Sequence, residues 1–255
     1  MVSPISKMID LSDQVALITG SSGGIGQEIC RRLGRSKIGG LALVDRNDMP
    51  FARKHCGDNT VIKSWNCDVS DRKQVKSVVK DAMSIFKRID ILITCAGIAS
   101  ESILDEITEE EWDLVLNVNL KGTFFFIQEI YPHMAKQHYG KILCIGSLAA
   151  RRPGQVGGLP YVASKGGIHA MVKRLAYDGA KDSIYVNAIA PGPIVKTKMW
   201  DNVASKLRIE EKNVCPLMRF GHPEDIAEAA IFLVSSASNW ITGVILDVNG
   251  GIYMG

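Results

Sequence analysis

Ser147, Tyr161 and Lys165 are the residues whose types and spacing most clearly allow catalysis. Tyr161 and Lys165 are four positions apart, so that on a helix they lie on one face. A tyrosine hydroxyl normally titrates near pH 10, too high for a general base at neutral pH. A neighbouring ammonium group stabilises the phenolate and lowers that pKa. Ser147 could then hydrogen-bond a substrate oxygen while Tyr161 removes or supplies its proton, although Tyr-x-x-x-Lys alone is also typical of an exposed helix.

A glycine-rich turn follows the first strongly apolar run of the chain. The run Val15–Thr19 leads into Gly20-Ser21-Ser22-Gly23-Gly24-Ile25-Gly26 and then into a helical pattern. Glycines let a backbone turn tightly and approach a pyrophosphate, whose charge is favoured by the amides at a helix N-terminus. The spacing departs from the common fingerprint G-x-G-x-x-G, so a turn without a ligand is the alternative. The cofactor contacts predicted from this turn are Gly20, Ser22, Gly24, Ile25 and Gly26.

Acidic residues lie at the ends of the next two predicted strands. At Asp45 a carboxylate can accept hydrogen bonds from both hydroxyls of an adenosine ribose, and it would repel a 2′-phosphate. This predicts NAD as the cofactor and disfavours NADP. Arg46 could instead hold a 2′-phosphate, but a solvated charge after a strand is the simpler interpretation. Asp68, followed by Val69, could hydrogen-bond the adenine amino group or could cap the next helix.

Short apolar runs alternate with longer amphipathic stretches along the chain. This alternation predicts an α/β fold, in which helices cover both faces of a doubly wound parallel sheet within a single domain, 1–255. Ligands bind such sheets beyond the carboxyl ends of the strands, where the residues above fall. The predicted strands, about seven, are Val15–Thr19, Leu41–Asp45, Val61–Asn66, Ile89–Thr94, Lys141–Ile145, Ile184–Ala188 and Val244–Val248. The predicted helices are Ile25–Leu33, Arg72–Phe86, Glu109–Ala135, Tyr161–Ala180 and Pro223–Val234.

Composition excludes several classes of protein. Hydrophobic residues make up 46% of the 255 positions and charged residues 22%, and the net charge of +3 at pH 7 does not indicate a nucleic-acid binder. Residues 1–10, an expected N-terminal extension, lack the apolar stretch of a signal peptide, and no run is long enough to span a bilayer. The six cysteines form no C-x-x-C pair or Cys/His cluster, which predicts no metal site and no disulfide framework. We therefore expect a cytoplasmic protein.

Taken together, these motifs resemble the short-chain dehydrogenase/reductase family over nearly the whole chain. The glycine turn is similar to that family's cofactor turn, and Ser147, Tyr161 and Lys165 are similar to its catalytic set. Asn119 matches the fourth catalytic position, where the family's asparagine bends a helix and holds a water in a proton relay that ends at the lysine. The resemblance implies a Rossmann-type fold and hydride transfer between NAD(H) and a secondary alcohol or ketone. It also implies that Tyr161 and Lys165 contact the cofactor.

The segment Pro191-Gly192-Pro193-Ile194-Val195-Lys196-Thr197 resembles the family's stretch that contacts the nicotinamide carboxamide. That stretch also begins a substrate lid, expected here over about residues 193–215. The cofactor contacts implied by it are Pro191, Gly192, Ile194 and Thr197.

Two features depart from the family pattern. The family's Asn-Asn-Ala-Gly reads Thr94-Cys95-Ala96-Gly97 here, so that Ala96 and Gly97 still allow a close approach to the cofactor. The amide side chain that is lost removes a usual internal hydrogen bond. The interval between Ser147 and Tyr161 is one residue longer than usual, which an extra loop residue within 151–160 would accommodate.

The leading hypothesis is an NAD-dependent alcohol dehydrogenase or carbonyl reductase. The sequence most resembles the subgroup of 3-oxoacyl-carrier-protein reductases, so such a reductase, usually NADPH-dependent, is the enzymatic alternative. A non-catalytic cofactor-sensing module is the alternative from another class, but it would be expected to lose the tyrosine or the lysine. Arg151, Arg152, Lys196 and Lys198 could attract an anionic substrate, although solvated loop charges are the simpler interpretation. The resemblance also implies a homotetramer or homodimer.

Overall fold

One parallel sheet organises the part of the chain that the computed structural model describes, residues 9–47, 60–100, 102–152, 157–203 and 215–255. Its strands run side by side in the order β3-β2-β1-β4-β5-β6-β7, and every neighbouring pair is parallel. The predicted α/β, Rossmann-type fold is therefore confirmed. The strands are β1 (Val15–Thr19), β2 (Gly40–Asp45), β3 (Val61–Asn66), β4 (Ile91–Thr94), β5 (Gly140–Ile145), β6 (Ile184–Pro191) and β7 (Ile245–Val248).

Helices cover the sheet from both sides, and each side has its own apolar cluster. Because successive residues of a strand point to opposite faces, Leu17 of β1 packs into one cluster while Ala16 and Ile18 pack into the other. The first cluster includes residues of α2, α4 and α5, and the second includes residues of α1 and α7. The helices are α1 (Gly24–Arg35), α2 (Arg72–Phe86), α3 (Glu109–Leu116), α4 (Gly122–Gln137), α5 (Leu159–Gly179), α6 (Lys198–Val203) and α7 (Pro223–Val234).

The structure corrects three of the local predictions. The strand β3 lies at the edge of the sheet and does not have two covered faces, because its residues are exposed or only partly buried. The predicted helix Glu109–Ala135 is divided by a π-helical segment, Asn117–Lys121, between α3 and α4. The helix cap proposed for Asp68 belongs instead to Asp71, whose carboxylate accepts hydrogen bonds from the amides of Lys73 and Gln74 at 2.8 and 3.3 Å.

Lys141, at the amino end of the sheet, leads to a prediction about stability. Its side chain is only 1% exposed and lies 3.3 Å from Ser238 Oγ and 3.9 Å from the centre of the Tyr185 ring. Burial lowers the pKa of Lys141 from 10.5 to about 8, so the folded protein binds fewer protons than the unfolded chain between those values. The titration of Lys141 should therefore contribute an increase in the free energy of unfolding as the pH rises across that interval. Lys141→Met should remove this contribution and increase the free energy of unfolding at neutral pH by about 1–3 kcal/mol.

Denaturant unfolding at neutral pH and at about pH 10 measures this effect. The control is Lys63→Met, which changes an exposed lysine on β3 and should alter neither value. A Lys141→Met protein with the stability and pH dependence of the wild type would contradict the account.

No helix among the described residues is long and apolar enough to cross a membrane. The same residues contain no group of three or more His, Cys, Asp or Glu side chains arranged to hold a metal ion.

Candidate active site

A cavity of about 940 Å³ opens at the carboxyl ends of the strands. It brings together residues that are far apart in the sequence, as expected at this edge of a doubly wound sheet. Ser147, Tyr161 and Lys165 line it, whereas Asn119 is fully buried and only its neighbour Val118 reaches the wall. All the predicted cofactor contacts line the cavity: Gly20, Ser22, Gly24, Ile25, Gly26, Asp45, Arg46, Asp68, Val69, Ala96, Gly97, Tyr161, Lys165, Pro191, Gly192, Ile194 and Thr197.

The glycine turn between β1 and α1 is built so that the backbone itself forms one wall. Gly20 has a φ of +68°, and a Cβ there would lie 2.5 Å from the amide nitrogen of Ala96. A Cβ on Gly26 would overlap the carbonyl oxygen of Gly20, and one on Gly24 would lie 2.9 Å from the carbonyl oxygen of Lys196. Helix α1 begins after Gly23, which offers no side chain to cap its amides. The turn thus fits a bound diphosphate, since uncapped amides at a helix N-terminus attract an anion.

The side chain of Asp45 is held in place at the end of β2. Its Oδ2 accepts a hydrogen bond from the amide of Ser22 at 2.9 Å, and its Oδ1 accepts one from the amide of Asn47 at 3.0 Å. The side-chain amide of Asn47 donates to Oδ1 as well, at 3.2 Å, so Oδ2 is the oxygen that keeps a lone pair for a ribose hydroxyl. The carboxylate joins the glycine turn to the end of β2, where the adenosine half of a dinucleotide binds in doubly wound folds.

Arg46 and Asp68 face each other across the same end of the cavity. The Arg46 side chain is 62% exposed, and its NH1 lies 3.7 Å from Asp68 Oδ2. The Ser70 hydroxyl donates to Asp68 Oδ1 at 2.6 Å and holds the pKa of Asp68 below its usual value. Arg46 is therefore a largely solvated charge with one loose ion pair.

The tyrosine, lysine and serine come together where helix α5 approaches the end of β5. Both Tyr161 and Lys165 are buried on α5, and the Lys165 Nζ lies 5.7 Å from the centre of the Tyr161 ring. The ammonium donates to the carbonyl of Ile145, the last residue of β5, at 2.8 Å. Ser147 follows β5 directly and accepts a hydrogen bond from the amide of Ala149 at 3.1 Å. The sheet edge and one helix therefore hold the three side chains in fixed positions.

Burial dominates the pKa values of this group. It raises the pKa of Tyr161 above its usual value, while a hydrogen bond with Ser147 acts in the opposite direction. Burial also lowers the pKa of Lys165 to about 8. Desolvation of the phenolate therefore dominates in the protein without a cofactor, and the lowering of the tyrosine pKa by Lys165 together with the charge of an oxidised nicotinamide stays a prediction.

Asn119 sits in the π-helical segment and ties three elements together. Its Oδ1 accepts from the amide of Ile98 at 2.8 Å, and its Nδ2 donates to the carbonyl of Ile98 at 2.9 Å and to Ser164 Oγ at 3.0 Å. The bend expected at this asparagine is present as the π segment, a distortion often found at functional sites. It links the loop after β4 to helix α5.

The turn after β4 has hydrogen bonds that do not require the missing amide side chain. The amides of Cys95 and Ala96 donate to Thr19 Oγ1 at 3.2 and 3.3 Å. Burial raises the pKa of Cys95 to about 12, so its thiol is neutral. A Cβ on Gly97 would lie 3.2 Å from Asn119 Oδ1, a tight contact that a small shift of this side chain would have to relieve.

Several residues that line the substrate end of the cavity were not predicted from the sequence. Trp200 of α6 packs on Phe220 with their ring centres 4.7 Å apart, and both line the cavity together with Ile252. The segment after β6 is held by a bridge between Ile194 and Gly221. Neither Phe220 nor Ile252 was among the residues predicted to line the site, and only the fold reveals them. The expected lid over 193–215 is described as far as residue 203, and residues 204–214, like 153–156 of the loop before Tyr161, lie outside the described residues.

Comparison with known proteins agrees with this architecture. A family model described as enoyl-(acyl carrier protein) reductase matches residues 20–253. The 3-oxoacyl-(acyl-carrier-protein) reductase FabG of Thermotoga maritima is 36% identical over 247 residues, which cover 95% of this chain and 98% of the relative. The chain belongs to the short-chain dehydrogenase/reductase family. As a member of this family it is an NAD(P)-dependent oxidoreductase that acts on a hydroxyl or keto group.

Other members of the short-chain dehydrogenase/reductase family are similar over the full length. FabG of Staphylococcus aureus is 36% identical over 94% of this chain and 98% of its own. Levodione reductase, a solved structure, has a TM-score of 0.88 and 28% identity over 94% of this chain and 98% of its own. A 3-oxoacyl-(acyl-carrier protein) reductase from Brucella melitensis, solved with bound NAD, has a TM-score of 0.84 and 28% identity over 100% of this chain and 97% of its own.

Proposed function

We propose that the protein transfers a hydride between NAD(H) and a secondary alcohol or ketone, with Tyr161 as general acid and base. The observation that carries this proposal is that one cavity holds Ser147, Tyr161 and Lys165 at one end and Asp45 with the glycine turn at the other. A nicotinamide bound between them would accept or supply the hydride. A non-catalytic cofactor-sensing module would need only the part of this cavity that binds the dinucleotide.

The side chains of the protein carry the proton chemistry. Ser147 Oγ orients the substrate oxygen and the Tyr161 hydroxyl takes or returns its proton. Because burial raises the pKa of Tyr161, a phenolate there needs more positive charge than Lys165 supplies at 5.7 Å from the ring. The charge of an oxidised nicotinamide favours the phenolate in the direction of alcohol oxidation.

The proton then leaves through the lysine side of the site. Lys165 Nζ can pass it on, because burial has lowered the pKa of Lys165 to about 8, which is close to neutral pH. Asn119 is a positioning residue in this scheme, since its side chain is fully engaged by Ile98 and Ser164. Its carbonyl, which accepts from Thr123 Oγ1 at 2.7 Å, has a second lone pair for a water.

NAD is the proposed cofactor because of the charge at Asp45. Replacement by serine should lower kcat/KM with NAD about 10–100-fold, since hydrogen bonds to a charged group contribute about 1.5–3 kcal/mol. The same change should raise kcat/KM with NADP, because the repulsion of a 2′-phosphate is removed. Kinetics with both cofactors measure the preference. As the partner variant, Arg46→Gln should leave NAD use unchanged and reduce any NADP use, and an Asp45→Ser enzyme with unaltered preference would contradict the proposal.

A 3-oxoacyl-(acyl-carrier-protein) reductase is the second candidate, favoured by the names of relatives such as the Thermotoga maritima protein. The test is turnover of the purified protein with NAD(H) and NADP(H). Its panel includes secondary alcohols, polyols, hydroxy acids and 3-oxoacyl thioesters. Turnover confined to 3-oxoacyl thioesters with NADPH would favour the second candidate. Binding of NADH without any turnover would favour a sensing module.

We propose a homodimer or homotetramer, supported by apolar side chains exposed on the helices expected at the interface. Leu114 of α3, Phe124 of α4 and Tyr177 of α5 are 53, 40 and 82% exposed. Covering such side chains by a second copy would remove apolar surface from water.

Residues 193–215 remain our proposal for a substrate lid, and a cytoplasmic location remains a prediction.

A further inference from the structure

Two consecutive arginines, Arg151 and Arg152, follow the turn after Ser147, and their side chains make different contacts. Arg151 NH2 donates to the carbonyl of Ile245 at 2.9 Å and lies 3.3 Å from Asp247 Oδ2. Its guanidinium also lies 5.5 Å from the centre of the Tyr253 ring. Arg151 is therefore a structural residue that fastens this turn to the C-terminal segment, and not the solvated charge expected from the sequence. It does not line the cavity.

Arg152 contacts the same C-terminal segment but contributes to the cavity wall. Its NH1 donates to the carbonyl of Ile252 at 3.0 Å, and both residues line the cavity. The backbone amide of Arg152 donates to the carbonyl of Leu148 at 3.2 Å, which fixes its place after Ser147. A guanidinium held by its neighbours loses less conformational entropy when it binds a ligand.

Charge is distributed unevenly along the cavity. At the adenosine end, Asp45 and Asp68 accompany Arg46. At the substrate end, the charged residues among the described lining are cations, namely Arg152, Lys165 and Lys198. This end therefore favours an anion.

The remaining walls of the substrate end strengthen any such interaction. They are formed by apolar side chains, which exclude water and lower the local dielectric. A charge-assisted hydrogen bond from a guanidinium is stronger in these surroundings, and its planar fork matches a carboxylate. The apolar lining residues are Leu148, Met199, Trp200, Phe220 and Ile252.

We propose that Arg152 binds a carboxylate of the substrate, so that the preferred substrates are oxo acids and the corresponding hydroxy acids. This inference rests on the proposed function and adds the substrate class to it. Arg152 is a specificity-determining residue in this scheme. It holds the far end of the molecule while Ser147 and Tyr161 act on the carbonyl.

The experiment compares 2-, 3- and 4-oxopentanoate with their methyl esters, which keep the carbonyl but lack the negative charge. The reductions are followed with the wild type, Arg152→Gln and the control Lys196→Gln. Lys196 is exposed and does not line the cavity, so its replacement makes the same change of net charge elsewhere. Protection of the NADH-loaded protein against thermal unfolding by each acid is measured as well, so that binding is observed even without turnover.

For at least one acid, Arg152→Gln should lower kcat/KM about 10–100-fold and abolish the thermal protection, with little change for its ester. Lys196→Gln should behave as the wild type. Equal losses for acid and ester would show that Arg152 only supports the C-terminal segment, and would overturn the inference while leaving the proposed function intact. Protection by an acid that needs Arg152, without turnover of any compound, would support the carboxylate site and contradict the proposed function.

Discussion

Tyr161→Phe should lower kcat for alcohol oxidation and ketone reduction by about 10²–10⁴-fold, the usual contribution of a general acid or base. The substitution removes one oxygen and keeps the ring, which is buried against its neighbours. Affinity for NADH and the free energy of unfolding should therefore remain close to the wild type. Because the phenolate is needed for oxidation, the wild-type oxidation rate should rise with pH until Tyr161 is deprotonated in the NAD complex, at a lower pH than burial alone would set. The residual rate of the variant should lose that dependence.

The matched control is Tyr177→Phe, which makes the same change on the same helix outside the cavity, at the surface proposed for contact between copies. It should leave kcat, the pH profile and cofactor affinity unchanged. Steady-state kinetics and NADH binding by fluorescence compare the three proteins. Normal turnover by Tyr161→Phe with any substrate would show that Tyr161 is not the general acid and base.

Gly20→Ala is expected to damage both the fold and cofactor binding. A side chain at Gly20 must accept a φ of +68° and would place its Cβ 2.5 Å from the backbone nitrogen of Ala96. Backbone strain and overpacking cost about 1–3 kcal/mol each, so the free energy of unfolding should fall by about 2–5 kcal/mol. The overlap can be relieved only if the glycine turn moves away from the loop after β4. Because this movement displaces the turn from the cofactor, NADH affinity should also fall.

Gly166→Ala provides the control for Gly20→Ala, because a Cβ at Gly166 meets nothing within 4 Å and the residue lies within helix α5. This substitution should stabilise the protein by about 0.5–1 kcal/mol through the higher helix propensity of alanine. Denaturant unfolding and NADH titration measure both variants. A Gly20→Ala protein with wild-type stability and affinity would contradict the described geometry of the turn.

Local patterns made much of the fold predictable. The first strand, the glycine turn and the following helix are adjacent in sequence, so their order alone indicated a dinucleotide site. Asp71 and Pro223 lie at the starts of helices that the structure confirms. All four candidate catalytic residues could be named in advance through the family resemblance. The comparisons confirm the family, whereas the residue roles stay predictions.

Features that depend on distant contacts could not be predicted. Arg151 pairs with Asp247, nearly a hundred positions away, so its sequence neighbours indicated only a loop charge. A helix-period pattern continues through Asn119, which hides the π segment from any periodicity argument. The pKa of Tyr161 depends on how deeply the fold buries it, and Phe220 and Ile252 reach the cavity only through the folded sheet.

Transfer of deuterium to an oxo acid from NADH that carries two deuterium atoms at C4, so that either face delivers the label, tests the central claim most directly. The wild-type protein, the labelled cofactor and 2-, 3- or 4-oxopentanoate are incubated together and the product is analysed by mass spectrometry. We expect a hydroxy acid that carries a single deuterium on the carbinol carbon, and a labelling rate about 10²–10⁴-fold lower when Tyr161→Phe replaces the wild type. If no labelled alcohol forms with the acids, their esters or the wider panel, while NADH still binds, the protein does not perform the proposed hydride transfer.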